Sequence, residues 1–176
     1  MGREIRRVPP NWQHPKREVP NYRMQRMEED YQPMRDVDVE EAWEGWLERF
    51  AEWKAGKWSK MAAEYPESNY SPTYRSFCEW DGEPPDPKYY RPAWTEEPTW
   101  YQMYETVSEG TPVSPPFATP EELVDYLVAN GDFWDQKRGH GGWKRENAEA
   151  FVKTGFAVSM ATVGGKIYEP RDGVPA

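Results

Sequence analysis

Apolar side chains recur at helical spacing in three stretches of the chain. The first, between residues 38 and 56, predicts an amphipathic helix with one apolar stripe made of Trp43, Trp46, Leu47, Phe50 and Trp53. The second begins at Thr119-Pro120-Glu121-Glu122, which has the pattern of a capping box, and it ends at Asn130-Gly131. The third covers residues 143–154, with Gly155 as its stop.

Strand patterns are confined to the second half of the chain. Residues 100–107 are rich in aromatic and β-branched side chains and predict one strand. Residues 156–168 predict a hairpin that turns on Gly164-Gly165. The stretch 66–120 holds eleven of the eighteen prolines, which favours an irregular belt over long helices or central strands.

The pattern as a whole predicts an α+β protein with a small single domain. We expect about three helices, a short antiparallel sheet or hairpin, a long Pro-rich irregular belt and an extended N-terminal arm. Residues 1–35 carry five prolines without a helical or alternating period and are assigned to the arm, while residues 36–176 are assigned to the domain.

Composition changes the expected core. The chain has three Leu and two Ile, against ten Trp and eleven Tyr, so aliphatic side chains are too few for an ordinary core. Aromatic rings bury large areas each, and we therefore predict a core built from rings.

Charge divides the chain. Residues 1–26 hold seven basic and two acidic side chains, whereas the net charge of the whole chain is -9. A basic arm beside an acidic body either folds back onto that body or reaches for an acidic partner. Four glutamates at four-residue spacing, Glu40, Glu44, Glu48 and Glu52, are read as a solvated helix face, with imitation of nucleic-acid phosphates as the alternative.

No catalytic or metal centre is recognisable in the sequence. The two histidines, His14 and His140, are far apart in the chain, and the single cysteine, Cys78, lies between aromatic residues, where a buried inert thiol is expected. His140 lies in a glycine-rich loop without the spacing of a phosphate-binding loop. We therefore predict a protein that is not an enzyme and has no cofactor or metal.

Targeting signals are also missing from the pattern. The N-terminus has no apolar signal-peptide region, and no window is long and apolar enough to span a membrane. The expectation is a cytoplasmic protein with no membrane partner.

Three segments resemble a family of small proteins encoded by tailed bacteriophages. The opening segment, residues 2–15, reads GREIRRVPPNWQHP; residues 101–112 run into the helix start at Thr119; and residues 155–160 read GFAVSM. No activity is carried over from this resemblance. It implies a host bacterial cytoplasm and an accessory protein, and such proteins often block a host defence complex, including CRISPR effectors.

The function expected from these features is non-enzymatic inhibition of a host defence complex through protein–protein contact. Two alternatives stay open: a virion or assembly accessory protein, and a weak single-stranded nucleic-acid binder acting through the basic arm. A third, an enzyme with a site assembled from scattered carboxylates, would show a deep pocket lined by Asp or Glu. Because Trp, Tyr and Arg dominate interface energetics, the candidate partner-binding residues are Arg3, Arg6, Arg7, Trp12, His14, Tyr89, Tyr90, Arg91, Trp94 and Trp100.

Overall fold

The chain forms two compact units. The computed structural model describes residues 2–56, 76–108, 110–158 and 160–173. The first unit combines Met1–Asp36 with Trp94–Ala176, and the second is Val37–Ala93. Both helices and antiparallel strands are present, so the α+β prediction is confirmed.

Five helices are found in the described residues. They are α1 (Val39–Lys54), α2 (Phe77–Asp81), α3 (Pro120–Asn130), α4 (Phe133–Arg138) and α5 (Arg145–Thr154), and a 3-10 turn covers Pro87–Tyr89. The predicted capping box of α3 is present, since Glu122 N–H donates to the Thr119 hydroxyl and the Glu122 carboxylate accepts from Thr119 N–H. Sequence patterns located α1, α3 and α5 but not α2 and α4, which are too short to show a period.

A four-stranded antiparallel sheet organises the first unit. Its strands are β1 (Gly2–Val8), β6 (Trp100–Glu105), β7 (Thr111–Pro112) and β8 (Phe156–Val158), in the order β7-β6-β1-β8. Two hairpins accompany it, one of β2 (Lys16–Asn21) with β3 (Arg26–Tyr31), the other of β9 (Ala161–Val163) with β10 (Lys166–Tyr168). Gly164-Gly165 forms the turn of the second hairpin, as predicted. β8, which was predicted to belong to this hairpin, pairs with β1 instead.

The arm prediction needs a correction. Residues 1–35 do not lie outside a domain of residues 36–176, because β1 pairs with β6 on one side and with β8 on the other. A strand with two neighbours satisfies its backbone polar groups within the sheet, which makes this segment part of the scaffold. The separate unit begins instead at Val37, and it contains the end of β4 (Arg35–Asp38), which pairs with β5 (Tyr90–Arg91).

The core of the first unit is mixed rather than aromatic. Leu123 and Leu127 on α3 are fully buried. They form one cluster with Val124 of the same helix and with residues from β6, α5 and the connecting segments, namely Met103, Val113, Trp143, Ala148 and Phe151. Two of the three leucines of the chain thus lie in this one cluster. The few aliphatic side chains of the chain can contribute to a core because several of them lie on the buried face of α3.

Rings do form the interior of the second unit. Phe77 is buried, and its ring centroid lies 5.0 Å from that of Trp46 and 5.2 Å from that of Phe50. Trp53 and Trp80 close the cluster, with their ring centroids 6.0 Å and 5.8 Å from that of Phe77. The predicted aromatic core is therefore confirmed for this unit. Cys78, expected to be buried, is half-buried next to this cluster in sequence.

We expect Leu123→Ala to lower the free energy of unfolding by roughly 2–5 kcal/mol, because it removes fully buried methyl groups and leaves a cavity. Leu47→Ala is the matched control, since Leu47 is 51% exposed on α1 and its truncation should cost about 0.5 kcal/mol or less. Urea unfolding followed by circular dichroism measures both. Equal losses in the two variants would contradict this description of the core.

Candidate functional site

A buried ion-pair network links the first strand to the start of α4. Arg3 Nε lies 2.8 Å from Asp132 Oδ2, and Arg3 Nη1 lies 3.1 Å from Glu105 Oε1. Asp132 is also the N-cap of α4, where its Oδ1 accepts from the backbone N–H groups of Trp134 and Asp135. One guanidinium therefore pairs with two carboxylates, of which Asp132 is buried and Glu105 is half-buried.

The reciprocal partner of that N-cap, Asp135, faces a histidine. Asp135 Oδ2 accepts from Asp132 N–H at 3.1 Å and from Trp143 Nε1 at 2.8 Å. Its other oxygen, Oδ1, lies 3.5 Å from His140 Nδ1. Glu169, after β10, brings a third ligand atom, and one atom from each of these three side chains lies within 4.8 Å of the others. This is the group in the described residues with the donor atoms to hold a metal ion.

A cavity of about 120 Å³ adjoins this group. Its polar lining consists of four carboxylates (Glu105, Asp132, Asp135 and Glu169) and three guanidinium groups (Arg3, Arg138 and Arg171). Arg171 Nε lies 3.0 Å from Glu169 Oε2, and Arg138 Nη1 lies 3.8 Å from Glu169 Oε1. The lining therefore has one more negative than positive side chain.

A second buried polar chain runs through His14. Its Nε2 lies 2.7 Å from the Gln32 carbonyl oxygen, so that nitrogen carries the proton, and its Nδ1 lies 3.2 Å from the Tyr104 hydroxyl. That hydroxyl also lies 2.8 Å from Gln102 Oε1. Burial lowers the pKa of His14 and raises that of Tyr104. These pKa shifts favour the neutral forms of His14 and Tyr104 at neutral pH, and we therefore assign the pair a structural role.

Arg6 is built into the same region. Its guanidinium lies over the Tyr104 ring at 4.5 Å and pairs with Glu4 at 2.6 Å, and Nη1 donates to the Met34 carbonyl oxygen. The residue is 8% exposed. Gly110 has a φ of 94° here, and a Cβ at this position would overlap both the Met34 carbonyl and the Arg6 guanidinium. Arg6 is therefore a packing residue of the first unit.

The ten residues predicted to bind a partner are divided between the two units, and three of them are buried. Arg3, Arg6 and His14 are buried, and Arg7 is exposed, with its guanidinium 3.7 Å from the centre of the Tyr101 ring. Trp12 and Trp94 meet edge to face at 4.7 Å, and Trp100 pairs with Val8 in the sheet. Tyr89, Tyr90 and Arg91 are half-buried and belong to the other unit. Sequence reasoning could not see this division, because burial depends on strand pairing that the arm prediction lacked.

The apolar stripe that the sequence predicts on α1 is divided between side chains that pack on other rings and side chains that are exposed. Trp46, Phe50 and Trp53 face the Phe77 cluster, whereas Trp43 and Leu47 are 37% and 51% exposed. Glu40, Glu44 and Glu48, all exposed, alternate with Trp43 and Leu47 at the spacing i, i+3, i+4, i+7, i+8. We call these five residues the α1 outer face. The sequence analysis assigned Trp43 and Leu47 to one apolar stripe and the glutamates to a separate solvated face, whereas all five side chains are exposed together on this part of the helix.

Apart from Val107, which follows β6, the other exposed apolar side chains of the first unit lie at two places. One is the tip of the β2–β3 hairpin, with Tyr22, Met24 and Met27; the other is the segment from β8 to β10, with Phe156, Val158, Met160, Val163 and Ile167. Neither set carries a charge pattern that indicates what would cover it.

Comparisons of the chain with protein-family models, with curated proteins and with solved structures find no match. Among the helices of the described residues, none has the length and apolar character needed to cross a bilayer. The site must therefore be interpreted from its own geometry.

We expect Arg3→Met to cost roughly 3–5 kcal/mol of stability, because it leaves buried Asp132 and half-buried Glu105 without their counter-charge. Arg7→Met, on the same strand with an exposed side chain, is the control and should cost about 1 kcal/mol or less. Urea unfolding at neutral pH gives both values. The network would lose its assigned role if the two variants were equally stable.

The lowered pKa of His14 predicts acid sensitivity. The unfolded chain, with His14 at its ordinary pKa of 6.5, binds more protons than the folded chain, so the contribution of this group is full above pH 6.5 and is lost as the pH falls below it. His14→Gln should show a shallower fall in the free energy of unfolding between pH 7.5 and 5 than the natural chain. Between pH 8 and 9 the two proteins should have parallel profiles, and parallel profiles below pH 6.5 as well would contradict the assignment.

Proposed function

We propose that this chain is a non-enzymatic binding protein that docks on a partner protein through the α1 outer face. The observation that carries the proposal is the alternation, on one exposed helix face, of Glu40, Glu44 and Glu48 with Trp43 and Leu47. Aromatic and aliphatic anchors give an interface its affinity, and a single sign of charge around them selects a partner of opposite sign. The partner proposed is a protein with a basic surface.

The distribution of charge supports the same reading. Residues 37–93 hold twelve acidic and seven basic side chains, a net charge of -5, while the remaining 119 residues have a net charge of -4. The smaller unit therefore contains more than half of the net charge. Negative charge steers a protein towards basic clefts, including those that bind nucleic acid.

The biological form proposed for this activity follows from the resemblance to bacteriophage proteins. A host defence complex that handles nucleic acid must present a basic channel, and the α1 outer face would compete for it. The structure lends less support to nucleic-acid binding through residues 1–26, because two of the seven cations there, Arg3 and Arg6, are enclosed in ion pairs of the fold.

The test is capture from a lysate of the bacterial host with three baits. These are the natural chain, the variant Glu40→Gln/Glu44→Gln/Glu48→Gln, and a control with the same loss of charge, Glu18→Gln/Glu96→Gln/Glu97→Gln, whose three glutamates are exposed in the first unit. A nucleic-acid-handling defence component should be recovered with the natural chain and the control but not with the α1 variant. Recovery of no defence component, or equal recovery with all three baits, would refute the proposal.

A second measurement separates inhibition from simple attachment. The natural chain, added to the purified defence complex, should lower its nucleic-acid binding, and Trp43→Ala should raise the concentration needed by roughly 30-fold, the effect of losing an interface anchor of about 2 kcal/mol. Mass spectrometry of purified phage particles tests the virion alternative. A fixed stoichiometry in the particle would replace inhibition with a structural role.

A further inference from the structure

We propose that Asp135, His140 and Glu169 form a binding site for a divalent transition-metal ion, with Zn²⁺ as the best match. The site lies entirely within the first unit and is independent of the α1 outer face. One imidazole nitrogen and two carboxylate oxygens make a donor set that suits Zn²⁺, whereas Mg²⁺ and Ca²⁺ prefer oxygen ligands alone.

The distance between two of the ligand atoms supports a shared ion. Asp135 Oδ1 and His140 Nδ1 are 3.5 Å apart, which is long for a hydrogen bond. Two ligands on one tetrahedral Zn²⁺, each about 2.0–2.2 Å from the metal, lie about 3.4 Å from each other. Glu169 supplies an oxygen within 4.8 Å of both. To share one centre, the Glu169 oxygen must come from within 4.8 Å to about 3.4 Å of the other two atoms.

His140 offers a ring nitrogen that the rest of the fold does not use. Its Nδ1 is buried and has no hydrogen-bond partner among the residues that the structure describes. A buried polar atom left in this state costs about 1–3 kcal/mol, and a neutral imidazole that turned its lone pair towards a carboxylate oxygen would add repulsion. A cation between His140 Nδ1 and Asp135 Oδ1 removes both costs. His14, by contrast, has both of its ring nitrogens within hydrogen-bonding distance of a partner.

The backbone around the site holds its ligands in place. Asp135 and His140 are tied by the hydrogen bond from His140 N–H to the Asp135 carbonyl, 2.8 Å long. Gly131 has a φ of 73°, and a Cβ there would lie 2.6 Å from the Cβ of Asp135. At Gly142 a Cβ would overlap the Val128 carbonyl oxygen. Two glycines thus let the Asp135 helix and the His140 loop approach their neighbours.

The second carboxylate oxygen of each acidic ligand is already engaged, as is usual around metal ligands. Asp135 Oδ2 accepts from Trp143 Nε1, which leaves Oδ1 for the ion. Glu169 is held by Arg171 at 3.0 Å, and this guanidinium is the main competitor of the metal for the carboxylate. The surplus of one carboxylate in the cavity lining still favours a cation, and the cavity has room for water to complete the coordination.

The test uses the full chain after dialysis against a chelator. Titration calorimetry with ZnCl₂ at pH 7.5 should give one saturable site, and Co²⁺ should give the visible absorption of a four-coordinate ion, while Mg²⁺ at the same concentration should not compete. His140→Gln and Glu169→Gln should each weaken Zn²⁺ binding by at least about tenfold, the lower end of the effect of losing even an outer-shell partner. Glu149→Gln, which removes an exposed carboxylate on α5 that does not line the cavity, is the control and should bind as the natural chain does.

Two results would overturn the proposal: no saturable Zn²⁺ binding by the natural chain, or binding that His140→Gln and Glu169→Gln leave unchanged. The first means that the three side chains are only an ion-pair network. Asp135→Asn is avoided because Asp135 also completes the capping box of α4. Circular dichroism confirms the fold of each variant, and the Co²⁺ spectrum of the natural chain decides the matter if both variants fail to fold.

Discussion

The fold of the larger unit depends on the charge pair that holds its first strand in the middle of the sheet. β1 connects β6 with β8, so the two parts of the sheet would separate without it. Arg3 on this strand reaches Asp132 at the N-terminus of α4 and Glu105 at the end of β6. One side chain thus links residues more than a hundred positions apart in the sequence. Removing the cation from a buried carboxylate destabilises a fold by about 3–5 kcal/mol, which is more than most single apolar contacts contribute. The same side chain therefore contributes both to the position of β1 in the sheet and to the position of α4.

This arrangement decides what the cavity beside α4 can do. Once Arg3 neutralises Asp132, the other carboxylate of the capping box, Asp135, keeps one oxygen for His140. The proposed metal site is thus a consequence of the scaffold and not an addition to it. The opposing guanidinium groups of Arg138 and Arg171 keep the lining close to neutral, which limits the pull on the ion. Such a site is selective through its imidazole more than through its charge.

Elements with a repeating pattern were predictable from the sequence, and pairings were not. Periodicity, capping residues or turn glycines in the sequence indicate α1, α3, α5, β6 and the turn at Gly164-Gly165. β1 has no such signal, since four of its seven residues are charged and the burial of Arg3 and Arg6 could not be inferred from the sequence. The ligand group was missed for the same reason: His140 is five positions from Asp135, but Glu169 reaches them only through the return of the chain after β10. Contacts between residues that are far apart in the sequence depend on the tertiary fold, and local sequence patterns do not predict them.

The two units use different side chains for their interiors, and this bears on the proposed docking face. Aliphatic residues are concentrated around α3, whereas the smaller unit holds α1 by rings centred on Phe77. On the outer face of α1, Glu40 and Glu44, and Glu44 and Glu48, are like charges four residues apart, and each such pair destabilises a helix by about 0.2–0.5 kcal/mol. Exposed Trp43 and Leu47 also gain little from folding. A helix that served only to cover Phe77 would be more stable with lysines among these positions. The proposed docking on a basic protein would offset both costs, because it would supply basic side chains for the glutamates and an apolar contact for Trp43 and Leu47.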